Sequence, residues 1–298
     1  MKYPNSVTGA IASSAPIWMF KDQTPCDSFY KVVTQDFETL GSQKCRDTIQ
    51  KSWKVIRTVT QNATGQIKLA NLWNMCTYYQ IDLKLVDWLA EVYTTLAEAD
   101  SPYFTNFTVP LPANPIKEFC NVLDGLESDD DMDLVTTLGQ ALQIYTNYTG
   151  GSVCTIFQPT FEHLADNAWG FQKCTDMIRP VCSRDSDMFE NFEFDFESYS
   201  EECFEKYEMR PLNEEVPILL YGGKELSTAK NIIFSNVLQD PWSAYGVLTN
   251  VTSDILALNI PNGARNTNLR ASSENDSQEL RDVRQIEVEY IEKWIATV

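Results

Sequence analysis

Two short apolar runs near the end of the chain constrain its fold more than any other feature. Asn231-Ile232-Ile233-Phe234 is rich in β-branched residues and stops at polar, turn-forming ones. Ile255 to Ile260 is a second run, and it ends in Pro261-Asn262-Gly263, a turn signal. Runs of this length and composition read as buried strands. Open α/β sheets place their chemistry outside the carboxyl ends of such strands. Asp240 stands just past the first run. Spacing alone leaves it open between a functional carboxylate and an aspartate that caps a turn.

The chain has 298 residues, enough for a large core in one or two domains. Its formal charge of -19 and pI near 4.4 argue against a nucleic-acid partner, which would need a basic face. They suit an acidic compartment or the secretory pathway. No run of 18 apolar residues is present, so no membrane span is expected. Gly9 to Trp18 is too short, and its flanks do not fit a cleavable signal peptide. The eight cysteines, Cys26, Cys45, Cys76, Cys120, Cys154, Cys174, Cys182 and Cys203, include no C-x-x-C pair. A zinc ribbon or redox motif is therefore disfavoured, and spacing cannot choose among the 105 ways of pairing eight cysteines. N-x-S/T sequons at Asn62, Asn106, Asn147, Asn250 and Asn275 agree with a glycosylated product. Disulfides and sequons need the secretory pathway, yet no signal sequence opens the chain. The expectation is a fragment of a longer precursor, or a reading frame begun at an internal Met.

Further motifs carry a resemblance. Phe234-Ser235-Asn236, Asp240-Pro241-Trp242-Ser243, Gly263-Ala264 and Leu269-Arg270 stand in one segment. Gly9-Ala10-Ile11-Ala12-Ser13-Ser14-Ala15-Pro16-Ile17-Trp18 stands near the start, and Trp169, Gln172, Cys174 and Thr175 make W-x-x-Q-x-C-T. The chain resembles the later part of the lysosomal prolyl carboxypeptidase and dipeptidyl peptidase II family of serine exopeptidases. The resemblance implies an α/β-hydrolase fold, hydrolysis near proline, and the disulfides Cys26–Cys182, Cys45–Cys120, Cys76–Cys154 and Cys174–Cys203. It also implies that Asp240 is the triad acid and that Trp242 lines a pocket for the substrate's proline or small apolar side chain. The family's glycine run after that motif is here Ala244-Tyr245-Gly246, whose larger side chains would crowd the pocket.

Two members of the triad are missing from these residues. A triad in the order Ser, Asp, His puts the His after the last strand. Here Arg265 and Asn266 occupy the place of the family's two histidines. Arginine stays protonated and asparagine does not titrate, so neither is a base. An Arg265–Asp240 ion pair is the expected replacement. His163, the chain's one histidine, lies far from that position and reads as a surface or satisfied core residue. No G-x-S-x-G is present: Ser13 and Ser14 lack elbow glycines, and Gly150-Gly151-Ser152-Val153-Cys154 fails at its last position. The acidic stretches 127–133 and 183–205 miss EF-hand spacing and read as solvated loops, the second with aromatic anchors. No metal and no cofactor is expected.

The pattern predicts an incomplete α/β-hydrolase fold with an inserted helical lid. A sheet segment spans 1–21, the lid 22–165, and the rest of the hydrolase domain 166–298. Strands are expected over Thr8 to Ala15, Pro217 to Tyr221, Asn231 to Phe234 and Ile255 to Ile260. Helices are expected over Gln43 to Val59, around Leu85 to Leu96, and over Asp133 to Tyr145. A last helix should open with a capping box of Asp276 and Glu279, and bury Leu280, Val283, Ile286, Tyr290 and Trp294. The expected chain is inactive by itself and lysosomal or secreted. It is also poorly soluble or partner-dependent, since the first strand would lack neighbours. Its expected ligands are peptides, with a second copy or a partner subunit as further options. A peptide-binding pseudoenzyme, and an active peptidase whose serine lies in sequence upstream of these residues, are the competing readings.

Overall fold

The computed structural model describes residues 6–77, 81–106, 108–156, 164–211 and 213–296. His163 lies outside them. In chain order the elements are β1 (Ala10–Ser13), α1 (Ser28–Asp36), a π-helical turn (Phe37–Gly41), α2 (Gln43–Val59), α3 (Ala63–Leu72) and α4 (Ile81–Glu98). Then come β2 (Thr105–Asn106), β3 (Pro110–Leu111), α5 (Pro115–Asp124), α6 (Asp131–Thr146), α7 (Leu164–Thr175), α8 (Phe196–Tyr207) and α9 (Val216–Tyr221). The chain closes with β4 (Ile232–Val237), β5 (Ile255–Ile260) and α10 (Gln278–Ile295), with 3-10 turns at Pro241–Tyr245 and Thr267–Leu269. These elements form two compact units.

The first unit comprises Met1–Phe29, Phe161–Cys182 and Glu193–Val298. Its sheet is three-stranded and wholly parallel, in the order β1-β4-β5. Ile232 of β4 faces Ala10 of β1 on one side and Ile255 of β5 on the other. Parallel strands need cover on both faces, and two apolar clusters provide it. Leu226, Phe234, Val247 and Ile255 make one, with Trp18 and Ile17 packed against it. Val237, Ile260, Leu280 and Val283 make the other, which seats α10 on the sheet. Trp294 of α10 lies flat against Gly9, where an added Cβ would fall 2.3 Å from the indole ring. Disulfides Cys26–Cys182 and Cys174–Cys203 belong to this unit.

The second unit, Tyr30–Thr160 with Ser183–Phe192, is helical. Phe37, Trp53, Tyr93, Phe119 and Phe189 pack mainly edge to face with ring centroids 5.7–6.5 Å apart. That arrangement sets positive ring edges on negative ring faces. Disulfides Cys45–Cys120 and Cys76–Cys154 cross-link the unit. Across the two units these are the same four pairs that the resemblance implies. The acidic segment 183–192 is anchored here by the buried Asp187, which accepts from Ser183 Oγ and from the amides of Arg184 and Phe189.

Several local expectations are corrected. Pro217 to Tyr221 is not a strand but belongs to α9: Pro217 occupies the first helical turn, and Gly222, at φ 82°, closes it. A five-residue apolar run carries too little periodicity to separate the two. The run 231–234 does not stop at Ser235, because Ser235 and Asn236 are buried with internal partners and stay in β4. The first strand is shorter than expected and ends at Ser13; Ser14 turns the chain away with φ 47°. Part of 183–205 is helical: Asp195 caps α8 by accepting from the Ser198 amide. The cap of α10 is Ser277, not Asp276; Asp276 instead pairs with Arg284 at 2.6 Å.

Candidate functional site

Asp240 sits three residues beyond β4, with no exposed surface. Pro241 follows, and its fixed φ favours the first turn of the short helix that Asp240 caps through the Trp242 amide, at 3.1 Å. Arg265 reaches the same carboxylate from the loop after β5, with Nη1 3.5 Å from Oδ1. Its guanidinium also lies 4.7 Å from the Trp242 ring centre, a cation–π distance. Sequence position 265 and Asp240 are thus brought together as an ion pair.

The loop that carries Arg265 is held from three sides. Gly263, at φ 134°, donates its amide to Gln239 Oε1 at 2.8 Å. Asn266 takes a left-handed conformation, φ 56°, and its amide donates to Ser14 Oγ at 3.1 Å. Arg284 of α10 donates to three carbonyls of the loop, those of Thr267, Asn268 and Arg270. Beneath them Glu287 is buried and accepts from Asn268 Nδ2 at 2.7 Å and from Ser235 Oγ. A buried carboxylate is tolerated because donors surround it.

Ser13, the last residue of β1, and Ser14 after it belong to this scaffold. Ser13 Oγ lies 2.5 Å from Asn268 Oδ1 and 3.2 Å from Asn266 Oδ1, so its single hydrogen is committed to the asparagines. Ser14 is buried and receives the Asn266 amide. Asn266 therefore tethers the loop to Ser13 and Ser14, while Arg265 faces Asp240.

Trp242 is half-buried within a group of aromatic rings. Phe29 meets it edge-on at 5.3 Å, Tyr245 lies at 6.4 Å and Trp169 at 6.5 Å. Tyr245 is fully buried, and burial raises its phenol pKa against the opposing charge of Arg179. Arg179 was not singled out by sequence reasoning. Its guanidinium lies 4.2 Å from the Phe29 ring and 4.6 Å from Trp242. Glu287 had a sequence signal: it stands seven residues after Leu280, on the helix face that buries Leu280, Val283 and Trp294. Arg179 had none, since its neighbours come from distant parts of the chain.

All eight cysteines are in disulfides, which leaves no thiol for chemistry. Among the described residues no three His, Cys, Asp or Glu side chains gather as a metal site. No helix among them is long and apolar enough to cross a membrane.

Comparison with known proteins gives this arrangement a family. Residues 1–287 match the family described as serine carboxypeptidase S28. The lysosomal Pro-X carboxypeptidase of Bos taurus is 40% identical over 301 residues, covering 99% of this chain and 60% of that protein. Its Mus musculus counterpart is also 40% identical, with the same coverage. The Caenorhabditis elegans prolyl carboxy peptidase like protein 5 is 30% identical over 319 residues, 99% of this chain and 62% of that protein. The chain belongs to the S28 family of serine carboxypeptidases, and its parallel sheet with helices fits an α/β-hydrolase-like fold. It spans about 60% of the length of these relatives.

Proposed function

We propose that this chain is a non-catalytic member of its family, holding the position of the triad acid without a base. The Asp240–Arg265 pair carries the reading. A triad acid orients an imidazole, which then takes the nucleophile's proton. A guanidinium keeps its protons at physiological pH and accepts none. Losing a triad member lowers rates by about 10⁴- to 10⁶-fold. The expected outcome is no turnover of proline-containing peptides and no labelling by a fluorophosphonate probe. Covalent labelling of any serine would sink the proposal. An active peptidase completed by a serine from outside these residues meets the same obstacle at Arg265.

A second reading, a peptide-binding pseudoenzyme, is favoured by the half-buried Trp242 among its aromatic neighbours. Peptide binding without turnover, followed by calorimetry, tests it. The same proposal takes the helical unit as a lid within an α/β-hydrolase fold that is incomplete here. The 60% coverage of the relatives supports that extension. A lysosomal or secreted location is supported by the four disulfides and the relatives' names. Glycosylation fits the exposure of Asn62, Asn106, Asn250 and Asn275, while Asn147 is half-buried.

A further inference from the structure

Asn262-Gly263 is the one Asn-Gly step in the chain. Asparagine is among the thermolabile residues. Its weak point is Cγ, which the amide nitrogen of the next residue can attack. Glycine in that next place has no Cβ to crowd the approach, and its backbone is the freest to adopt the geometry. Asn262 is exposed, and among the described residues its side chain has no hydrogen-bond partner. The other asparagines of this loop are engaged: Asn266 Oδ1 accepts from Ser13, and Asn268 donates to Glu287. Side chains also follow them, those of Thr267 and Leu269. Gly263 contrasts with its neighbour. It is buried, and its amide donates to Gln239 Oε1 at 2.8 Å. That nitrogen is the nucleophile an attack on Asn262 needs. A hydrogen-bonded amide releases its proton only when the bond opens. Gln239 therefore holds the reactive atom.

We propose that Asn262 is the chain's leading site of spontaneous deamidation and that Gln239 sets its rate. When the Gln239–Gly263 bond opens, the Gly263 nitrogen loses its proton to solvent base and bonds to Cγ of Asn262. The Cγ–Nδ2 bond breaks, and Nδ2 takes a proton from water and leaves as ammonia. The cyclic imide so formed adds one water at either carbonyl and opens to aspartate or isoaspartate. Water is the only co-reactant, and nothing is oxidised or reduced. Either product adds a carboxylate to the loop that carries Arg265, the residue facing Asp240. Isoaspartate also lengthens the backbone by a carbon just before Gly263, whose φ of 134° shapes that loop. The modification thus falls on the segment that replaces the base, and the residue before Asp240 restrains it.

The test is peptide mapping by mass spectrometry on the full 298-residue chain, held in mildly alkaline buffer both folded and in guanidinium. In the folded chain the peptide containing Asn262 should gain the acid mass before any other asparagine peptide, as both aspartate and isoaspartate. It should convert more slowly than in guanidinium, where the Gln239 bond is lost. Gln239→Ala frees the Gly263 amide and should speed conversion about fivefold, the worth of one net hydrogen bond. Gln239→Glu keeps an acceptor in place and should stay within about twofold of the wild type. Earlier conversion at another asparagine, or none at Asn262, would overturn the site. Equal rates in the wild type and Gln239→Ala would overturn the role of Gln239, as would a folded chain that converts as fast as the unfolded one. The comparison of folded with unfolded wild type needs no variant, so misfolding of a substitution cannot mask the answer.

Discussion

The two compact units solve the same problem, filling an interior, with opposite materials. The helical unit fills its centre with rings: Phe37, Trp53, Tyr93, Phe119 and Phe189 touch one another, and disulfides staple the helices around them. The sheet unit buries polar groups where β1, β4 and α10 meet the loop at 263–270. Ser13, Ser235, Asn268 and Glu287 are joined there by hydrogen bonds. Packed rings need contact but no obligatory hydrogen-bond partner, whereas a buried carboxylate is stable only with its donors in place. The polar interior is therefore the more exacting of the two, and it supports the loop that addresses Asp240.

Changes to either interior measure that contrast. Removing the Cys45–Cys120 bridge, which spans 75 residues, should cost the most, about 4–5 kcal/mol in the chain-entropy account. Urea denaturation of the Cys45→Ala, Cys120→Ala double variant checks this. A midpoint shift too small for a loss of about 1 kcal/mol would show that the rings alone hold the helices. Glu287→Ala strands the Ser235 hydroxyl and the Asn268 amide, and should cost about 2–3 kcal/mol. Glu287→Gln keeps the shape and should cost less. If both variants melt like the wild type, the polar interior is not a structural requirement.

A smaller effect is expected with pH. Burial raises the Asp100 carboxyl to about 6 from its ordinary 3.8, although it accepts the Ile116 amide at 3.1 Å. Because the folded value lies above the unfolded one, the folded chain binds the extra proton. This contribution is fully present below about pH 4 and is lost as pH rises through 6. Between pH 7 and 5 the protein should gain about 1 kcal/mol. Asp100→Asn should remove this gain, and a parallel pH response in that variant would assign it elsewhere. The smallest effect is at the surface. Asn62 caps α3 by accepting the Gly65 amide at 3.0 Å, and Asn62→Ala should cost about 0.5–1 kcal/mol by thermal melting.

How far the sequence could be read depended on how local the deciding interaction was. Ile255 to Ile260 and Gln43 to Val59 follow from their own residues, and the structure puts a strand and a helix there. Ser235 and Asn236 misled because polar residues normally end a strand. Here Glu287, 52 positions from Ser235, and the Val247 carbonyl keep them inside. Pro217 to Tyr221 misled because a short apolar run suits either form. Asp276 misled because its partner, Arg284, lies two turns up the same helix rather than at its start. Asp240 and position 265 were legible as a pair because family motifs mark both. Arg179 carried no such mark.

The amino-acid order by itself determined that no histidine stands in the loop after β5, and that arginine and asparagine stand there instead. It also determined the strand runs and the eight cysteines. Only the tertiary structure decided what the others meet: Asn266 against Ser13 and Ser14, Glu287 against Ser235 and Asn268, and Arg179 against the rings of Phe29 and Trp242. The physical reason is range. Side-chain chemistry and short periodicities are properties of the residues themselves. Charge matching and donor satisfaction depend on groups up to 255 positions apart, which only the folded chain brings within reach.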